Sequence, residues 1–134
     1  MREPWLVQVL SDRWIVRERV SPVTESSFER DRLRILLSSG LEIQVDGSWK
    51  GTVGPPRTGA PIVLSQVSLA EGTRLASTVL FAAGAIRCIL TGSFSFTADS
   101  ADGSAHVAVR CPGLFAWNAE HGSVSGWIGP RAAG

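Results

Sequence analysis

The alternation of side chains from residue 41 to residue 53 constrains the fold more than any other feature of the sequence. Every odd-numbered position is apolar or glycine and every even-numbered position is polar; the odd set is Leu41, Ile43, Val45, Gly47, Trp49, Gly51 and Val53. A period of two is typical of a β-strand with one buried face, whereas a helix would scatter these apolar residues around its circumference. Gly47 and Gly51 fall on the buried face, where a missing side chain lets a long strand bend. The sequence therefore predicts a long, glycine-bent antiparallel strand, which suits a small β-barrel.

Size and charge narrow the class of protein. The chain has 134 residues, enough for one domain with a substantial core. Thirteen basic and twelve acidic residues give a net charge of +1, without the basic excess typical of nucleic-acid or membrane-surface binding. No apolar run approaches the ~18 residues of a membrane-spanning helix, and Glu3 and Pro4 interrupt what would be a secretory signal. We expect a single domain over residues 1–134, with a loose tail from about residue 129, in the cytoplasm and without nucleic-acid or membrane partners.

The residues that could bind zinc are Cys88, His106, Cys111 and His121. Their spacing matches no common zinc pattern, and in a cytoplasmic protein the two cysteines are expected to be free, buried thiols. Residues 122–126 resemble a nucleophile elbow but have Val124 where the serine must be, and no glycine-rich phosphate loop occurs. The sequence thus predicts no metal and no cofactor.

In the first third of the chain, residues 5–10 and 13–20 are predicted as the first two strands, and residues 21–27 as a loop. Arg32–Leu37 alternates as a strand, although residues 28–37 could instead form a short helix. After the long strand, residues 54–59 hold two prolines and two glycines and are predicted to be a loop, a possible flap over one barrel end. Residues 61–69 are apolar on both faces.

Three hairpins are predicted in the second half. The first joins residues 74–81 and 85–91 through a three-residue loop, which places Ala76, Thr78 and Leu80 on the same side as Ile86, Cys88 and Leu90. The opposite side is also apolar apart from one arginine; its members are Leu75, Val79, Phe81, Ile89 and Arg87. Because one face of a barrel strand lines the lumen, the other apolar face predicts a protein partner, and we expect a homodimer.

The second hairpin is predicted to fold about Asp102-Gly103, a strong two-residue turn signal, which sets Phe94 opposite Cys111. The third joins residues 113–118 and 123–128 around a four-residue loop. This register places Trp117 opposite Val124 and Phe115 opposite Gly126, where the glycine leaves space beside the ring.

Successive short hairpins favour an all-β fold with a single antiparallel closed β-barrel of about eight strands. The aromatic residues predicted to point inward are Trp14, Trp49, Phe94, Phe96, Phe115 and Trp117. A barrel of this size either fills its interior with side chains or holds one small ligand, and the sequence leaves both possibilities open.

Glu18 is the ionisable residue that strand alternation places with inward apolar neighbours, namely Trp14 and Val16. A carboxyl group in an apolar lumen would have a raised pKa and could act as a general acid or base. The alternative is that the strand ends there, or that Arg17 or Arg19 shields the carboxylate near the barrel rim.

The order and spacing of these elements span nearly the whole chain. They comprise the strand pair at 5–10 and 13–20, Phe28 with Asp31-Arg32-Leu33, Gly40, Ile43 and Gly47, then Gly59, residues 69–72 and the closing residues 124–129. This pattern resembles the small β-barrel cyclases of spirotetronate polyketide pathways, which share a calycin-like barrel with allene oxide cyclases and dirigent proteins. Two departures are that residues 72–124 form a longer segment, and that the family's tyrosine-bearing strand has Val63, Leu64 and Ser65 here.

The resemblance implies a cofactor-independent cyclase that holds a linear polyketide-type polyene in a hydrophobic barrel for intramolecular [4+2] cycloaddition. Glu18, Thr78 and Gln66 are the candidate catalytic residues, with Thr78 or Gln66 as a hydrogen-bond donor to a substrate carbonyl. The candidate substrate-binding residues are Trp14, Trp49, Cys88, Phe94, Phe96, Phe115 and Trp117. The alternatives are a lipocalin-like carrier of an apolar small molecule, which does no chemistry, and a structural dimer with a filled barrel.

Overall fold

A computed structural model describes residues 5–18, 21–53, 60–61, 69, 71–92, 94–111 and 115–127. For residues 5–7, 9, 17–18, 60–61, 115 and 127 it describes the backbone only. The described residues form strands and turns and contain no helix, so none that could cross a membrane. The prediction of an all-β fold is therefore confirmed, and Arg32–Leu37 is a strand rather than part of a helix. The predicted loop at 54–59, most of the apolar segment at 61–69, and the predicted tail lie outside the described residues.

The strands, in chain order, are β1 (Trp5–Val9), β2 (Arg13–Glu18), β3 (Val23–Glu29), β4 (Arg32–Leu37), β5 (Glu42–Gly47), β6 (Lys50–Val53), β7 (Ala60–Pro61), β8 (Leu75–Phe81), β9 (Ala85–Leu90), β10 (Phe94–Asp99), β11 (Ala105–Cys111), β12 (Phe115–Glu120) and β13 (Ser123–Trp127). They form two antiparallel sheets. Sheet 1 has the order β1-β2-β8-β9-β10-β6-β7, and sheet 2 has the order β13-β12-β11-β5-β4-β3. Among the described strands, neither sheet pairs its first strand with its last, so neither closes by itself into a barrel.

The predicted thirteen-residue strand is instead two strands, which join the two sheets, and Val53 at its end is exposed rather than buried. Its first half, β5, lies inside sheet 2, and its second half, β6, lies in sheet 1. The chain bends at Gly47, which has φ +116°, and the Ser48 amide donates to the Ser104 carbonyl oxygen at 2.8 Å. A Cβ at Gly47 would overlap that same carbonyl and lie 2.8 Å from the Cα of Ala105. Glycine is needed here because the backbone of the neighbouring strand occupies the side-chain position.

The inward faces of both sheets contribute to one apolar cluster. Its fully buried large side chains are Leu33, Ile35, Leu37, Leu41, Ile43, Leu75, Leu80, Ile86, Leu90, Phe96 and Trp117. In β4, β5, β10 and β11 buried and more exposed positions alternate, as the period of two predicts.

The β8–β9 hairpin has the predicted three-residue loop, and it pairs Thr78 with Cys88 and Leu80 with Ile86. One part of the prediction is wrong. The register shifts between Leu75 and Ser77, so Leu75 is buried opposite Leu90, and Ala76 is only half-buried. A bulge adds one residue to β8 and so reverses the alternation of side chains on its far side.

The predicted hairpin about Asp102-Gly103 is wrong in its pairing, although the faces are right. β10 pairs with β9 and β6 in sheet 1, whereas β11 pairs with β5 and β12 in sheet 2. Phe94 therefore lies beside Leu90 and Val53, and Cys111 lies beside Phe115. The turn residues form a corner between the sheets instead of a tight hairpin.

The last hairpin is present with a register two residues away from the prediction. Its turn is His121-Gly122, with φ +51° and +78°, and two consecutive positive φ values are typical of a two-residue hairpin turn. Trp117 consequently pairs with Gly126, and Ala119 pairs with Val124.

The region predicted as a loop at residues 21–27 is largely the edge strand β3. Most of its side chains are exposed, so it lacks the apolar alternation that marks the other strands. Its backbone pairs with β4, with Phe28 opposite Leu33. Pairing with a neighbouring strand, which the local sequence does not encode, makes this segment a strand.

Candidate functional site

The central row of sheet 1 brings together three of the predicted site residues. Cross-strand pairs run from Val16 to Thr78, Cys88, Phe96 and Gly51. Thr78 and Cys88 are fully buried, and Phe96 is 1% exposed. The prediction that Phe96 faces the interior is therefore confirmed, and the interior face of the β8–β9 hairpin is the one that carries Thr78 and Cys88.

Thr78 and Cys88 form a buried polar pair. Thr78 Oγ1 lies 3.7 Å from Cys88 Sγ, and either atom could be the donor. Burial raises the pKa of the Cys88 thiol to about 12, and the hydrogen bond with Thr78 opposes that rise in part. The thiol is therefore neutral at ordinary pH and is not a nucleophile. Both cysteines are free and buried, as predicted.

The corresponding row of sheet 2 runs from Gly126 through Trp117 and Val109 to Ile43. Trp117 has no exposed surface, and its Nε1 finds no hydrogen-bond partner among the described residues. A buried N–H without an acceptor costs about 1–3 kcal/mol. No other described side chain has a buried nitrogen or oxygen in this condition, so this N–H is the unused polar group of the described interior.

A glycine stands beside the large aromatic ring in each central row. Gly51 pairs with Phe96 in sheet 1, and Gly126 pairs with Trp117 in sheet 2. At Gly126 the neighbouring backbone takes the place of a side chain, because a Cβ there would lie 2.6 Å from the Ala116 carbonyl oxygen. Sequence reasoning predicted a glycine opposite an aromatic ring at Gly126 but assigned the wrong ring, because the turn is two residues long rather than four.

A second aromatic group lies where β6 leaves the bend. The ring of Phe28 is 6.1 Å from that of Trp49 and 5.2 Å from that of Phe94, the latter edge-on. Trp49 is partly exposed and donates from Nε1 to the Glu29 carbonyl oxygen at 2.7 Å. Its ring therefore packs at the border of the core, tied to the edge strand. The contribution of Phe28 was missed because its neighbours in β3 are polar.

Four further predicted site residues are Trp14, Glu18, Phe115 and Gln66. Trp14 is half-buried and packs against the core cluster. Glu18 pairs through its backbone with Trp5, and its side chain lies outside the described atoms. Phe115 pairs with Cys111, not with Gly126, and its side chain is likewise outside the description. Gln66 is outside the described residues.

Charge is kept away from the described interior. The buried polar residues there are Thr73, Thr78 and Ser100, none of which has an acidic or basic side chain. The largest ion-pair network is on sheet 2, where Glu42 accepts from Arg34 and from Arg110, the latter at 3.0 Å. Hydrogen bonds from Arg34 hold the pKa of Glu42 below its ordinary value, with Arg110 adding to the effect and burial opposing it. The described interior can thus offer shape, apolar contact and a hydrogen bond, but no general acid or base.

His106 is exposed and Cys111 is buried, on opposite faces of β11 as predicted.

Comparison of the chain with protein-family models, with curated proteins and with solved structures finds no match. The following proposals therefore rest on the residues and their geometry.

Proposed function

We propose that this protein binds an apolar small molecule bearing a hydrogen-bond acceptor, such as a carbonyl oxygen, between its two sheets. The observation that carries the proposal is the buried Nε1–H of Trp117, which has no acceptor among the described residues. A ligand oxygen at this position would remove the cost of the unpaired donor. The buried aromatic rings of Phe94 and Phe96 would supply apolar contact in the same cluster.

We further propose that binding serves catalysis, and that the protein is a cofactor-independent cyclase for an intramolecular [4+2] cycloaddition of a linear polyene. Such a reaction needs no nucleophile, acid or base, which accords with the uncharged described interior and the neutral thiol of Cys88. Holding diene and dienophile in a near-attack geometry, away from water, supplies the rate enhancement. The Trp117 N–H would polarise the carbonyl attached to the dienophile. Each ~1.4 kcal/mol gained in this way is tenfold in rate.

The closed barrel belongs to the same proposal. At one corner the Val23 amide donates to the Thr73 carbonyl oxygen at 2.7 Å, and Pro22 forms a β-bridge with Arg74. These contacts join the start of β3 in sheet 2 to the segment before β8 in sheet 1. The bend at Gly47 joins the sheets at another point. We propose that the two sheets are the walls of one flattened barrel.

A carrier without catalysis is the second candidate, and the pairing of Thr78 favours it. The hydroxyl of Thr78, predicted as a donor to substrate, lies 3.7 Å from Cys88 Sγ and cannot donate to a ligand while it donates to the sulfur. In that arrangement Trp117 Nε1–H is the unpaired donor that the described interior offers to a ligand, which supports ligand binding more directly than acceleration of a reaction.

One experiment separates the two candidates. Purified protein is incubated with linear conjugated polyene tetronates, and diene absorbance is followed together with tryptophan fluorescence. Loss of diene faster than in buffer supports the cyclase; quenched fluorescence with no faster loss supports the carrier. If neither signal changes with any such ligand, binding between the sheets is refuted for this class of molecule.

Location and assembly follow as subsidiary proposals. Free buried thiols accord with a reducing cytoplasm. For a homodimer, the outer face of sheet 1 on the β2–β8 side is the candidate surface, because Ile15 and Phe81 are half-buried apolar side chains there. The guanidinium group of Arg13 already covers part of the Phe81 ring, at 5.0 Å from its centroid. Light scattering at micromolar concentration would measure the mass directly.

A further inference from the structure

Three adjacent strands of sheet 1 place six side chains in a small grid on the outer face, opposite the interior. In one row Lys50, Thr97 and Arg87 are cross-strand neighbours. In the next row Thr52, Ser95 and Ile89 are cross-strand neighbours. These six residues line a groove of about 470 Å³, together with Phe96 of the central strand. We name it the outer groove.

The two cations of the outer groove are available to a ligand. Lys50 and Arg87 are exposed, and neither forms an ion pair with a carboxylate of the described residues. Arg87 lies over the ring of Phe81, with its guanidinium carbon 5.9 Å from the ring centroid, a contact that leaves its N–H groups free to donate. Asp99 is on the same face of β10, but its carboxylate accepts from the Ala101 amide at 2.9 Å.

The hydroxyl groups between the cations add donors. Thr97 is exposed midway between Lys50 and Arg87 in its row. Thr52 and Ser95 are hydrogen-bonded to each other at 2.9 Å, and either could be the donor. Whichever hydroxyl accepts in this pair keeps its own hydrogen for another acceptor. A ligand placed over Thr97 would therefore meet two positive charges and hydroxyl donors on one side.

We propose that the outer groove binds a phosphate monoester, with the phosphate between Lys50 and Arg87 and the organic part over Ile89. Two cations with no acidic partner match a dianion, and an arginine fork fits phosphate geometry. Phosphate monoesters are dianionic above their second pKa of about 6. Ile89, which is half-buried and lies two residues from Arg87 on the same face of β9, provides apolar surface for the organic part. The site lies on the face of sheet 1 away from the interior, and so does not depend on the function proposed there.

The test is a titration of the protein, labelled for NMR, with phenyl phosphate and with inorganic phosphate at low ionic strength and above the second pKa of phosphate. The amide resonances of Ser95 and Thr97 should shift and saturate, with phenyl phosphate binding more tightly. Lys50→Gln and Arg87→Gln should each weaken binding about tenfold, the scale of one charge-assisted hydrogen bond. The control is Arg74→Gln, which removes the same charge from an exposed residue outside the groove and should leave affinity unchanged.

Three results would overturn the proposal. One is the lack of saturable shifts at Ser95 and Thr97 up to millimolar phosphate, with the spectrum otherwise that of the folded protein. Another is that Arg74→Gln weakens phosphate binding as much as Lys50→Gln and Arg87→Gln do, which would mean that binding depends on the net charge of the protein alone. The third is equal affinity for phenyl phosphate and inorganic phosphate, which would remove the role of Ile89. The spectrum of each variant reports directly whether it has folded.

Discussion

Replacing Trp117 with phenylalanine should separate stability from ligand binding. The substitution keeps an aromatic ring in the core but removes the Nε1–H that has no acceptor among the described residues. The smaller ring loses roughly 1–2 kcal/mol of packing in a site with no exposed surface. Removal of the buried, unpaired donor returns about 1–3 kcal/mol. The two effects nearly cancel, so the ligand-free variant should unfold with about the same free energy as the parent.

The assay is urea unfolding followed by circular dichroism, with Trp117→Ala as the comparison. Alanine leaves a large cavity, and its cost should be about 3–5 kcal/mol. If Trp117→Phe costs as much as Trp117→Ala, the N–H stabilises the ligand-free protein through a partner, and its assignment as an unused donor is wrong. Binding of a polyene tetronate should meanwhile weaken about tenfold in Trp117→Phe, the scale of a single lost hydrogen bond.

Three further predictions concern other parts of the molecule. Gly47→Ala should lower the free energy of unfolding in urea by more than ~3 kcal/mol, because it adds overlap with a neighbouring backbone to the strain of a positive φ. Gly92→Ala, with φ +88° and open space around it, should cost about 1–2 kcal/mol. Equal costs would disprove the close approach at the bend. The thiol of Cys88, with its pKa raised from 9.0 to about 12, should resist alkylation by iodoacetamide at pH 8 until the protein is unfolded, and rapid labelling of the native protein at this position would contradict its burial. Because the pKa of Glu42 is lowered in the folded state, its contribution to stability is present above its unfolded pKa and is lost as the pH falls through its folded pKa. Glu42→Gln should therefore reduce the loss of stability at acidic pH. An unchanged loss would count against the ion-pair network.

The faces of the strands could be predicted from the sequence because alternation is a local property. The period of two from residue 41 to residue 53 gave the buried set of β5 and the bend between β5 and β6. The same alternation in the strands β10 and β11 placed Phe94 and Phe96 inside and His106 outside, although these strands have other partners than predicted. Side-chain direction depends on the strand itself, not on which strand lies beside it.

Pairing between strands that no short loop joins could not be predicted in the same way. Asp102-Gly103 is a strong turn signal, but here it serves a corner between two sheets, where the buried Ser100 hydroxyl donates to the Gly84 carbonyl oxygen at 2.8 Å. The strand β3 has little apolar pattern, and it forms because β4 presents an edge. The bulge near Ala76 is a shift in the pairing of β8 with β9, and it reverses the alternation of side chains at the start of β8. These features depend on contacts that are distant in sequence.

The candidate site could be predicted in part, because the alternation of each strand fixes which side chains are buried. Thr78, Cys88, Phe96 and Trp117 are buried as the alternation indicates. The importance of the Trp117 N–H was not visible, because the lack of an acceptor is a property of the folded interior. The outer groove was missed because Lys50 and Arg87 are distant in sequence and become neighbours of Thr97 only through the pairing of β6, β10 and β9.

The most direct measurement of binding between the sheets is the indole N–H resonance of Trp117 during titration with a linear polyene tetronate. If a ligand oxygen accepts from Nε1, the resonance of this proton should move downfield in proportion to bound ligand. The same resonance should be absent from the spectrum of Trp117→Phe, which assigns it to Trp117. A ligand that binds saturably while this resonance stays in place would contradict the proposed site.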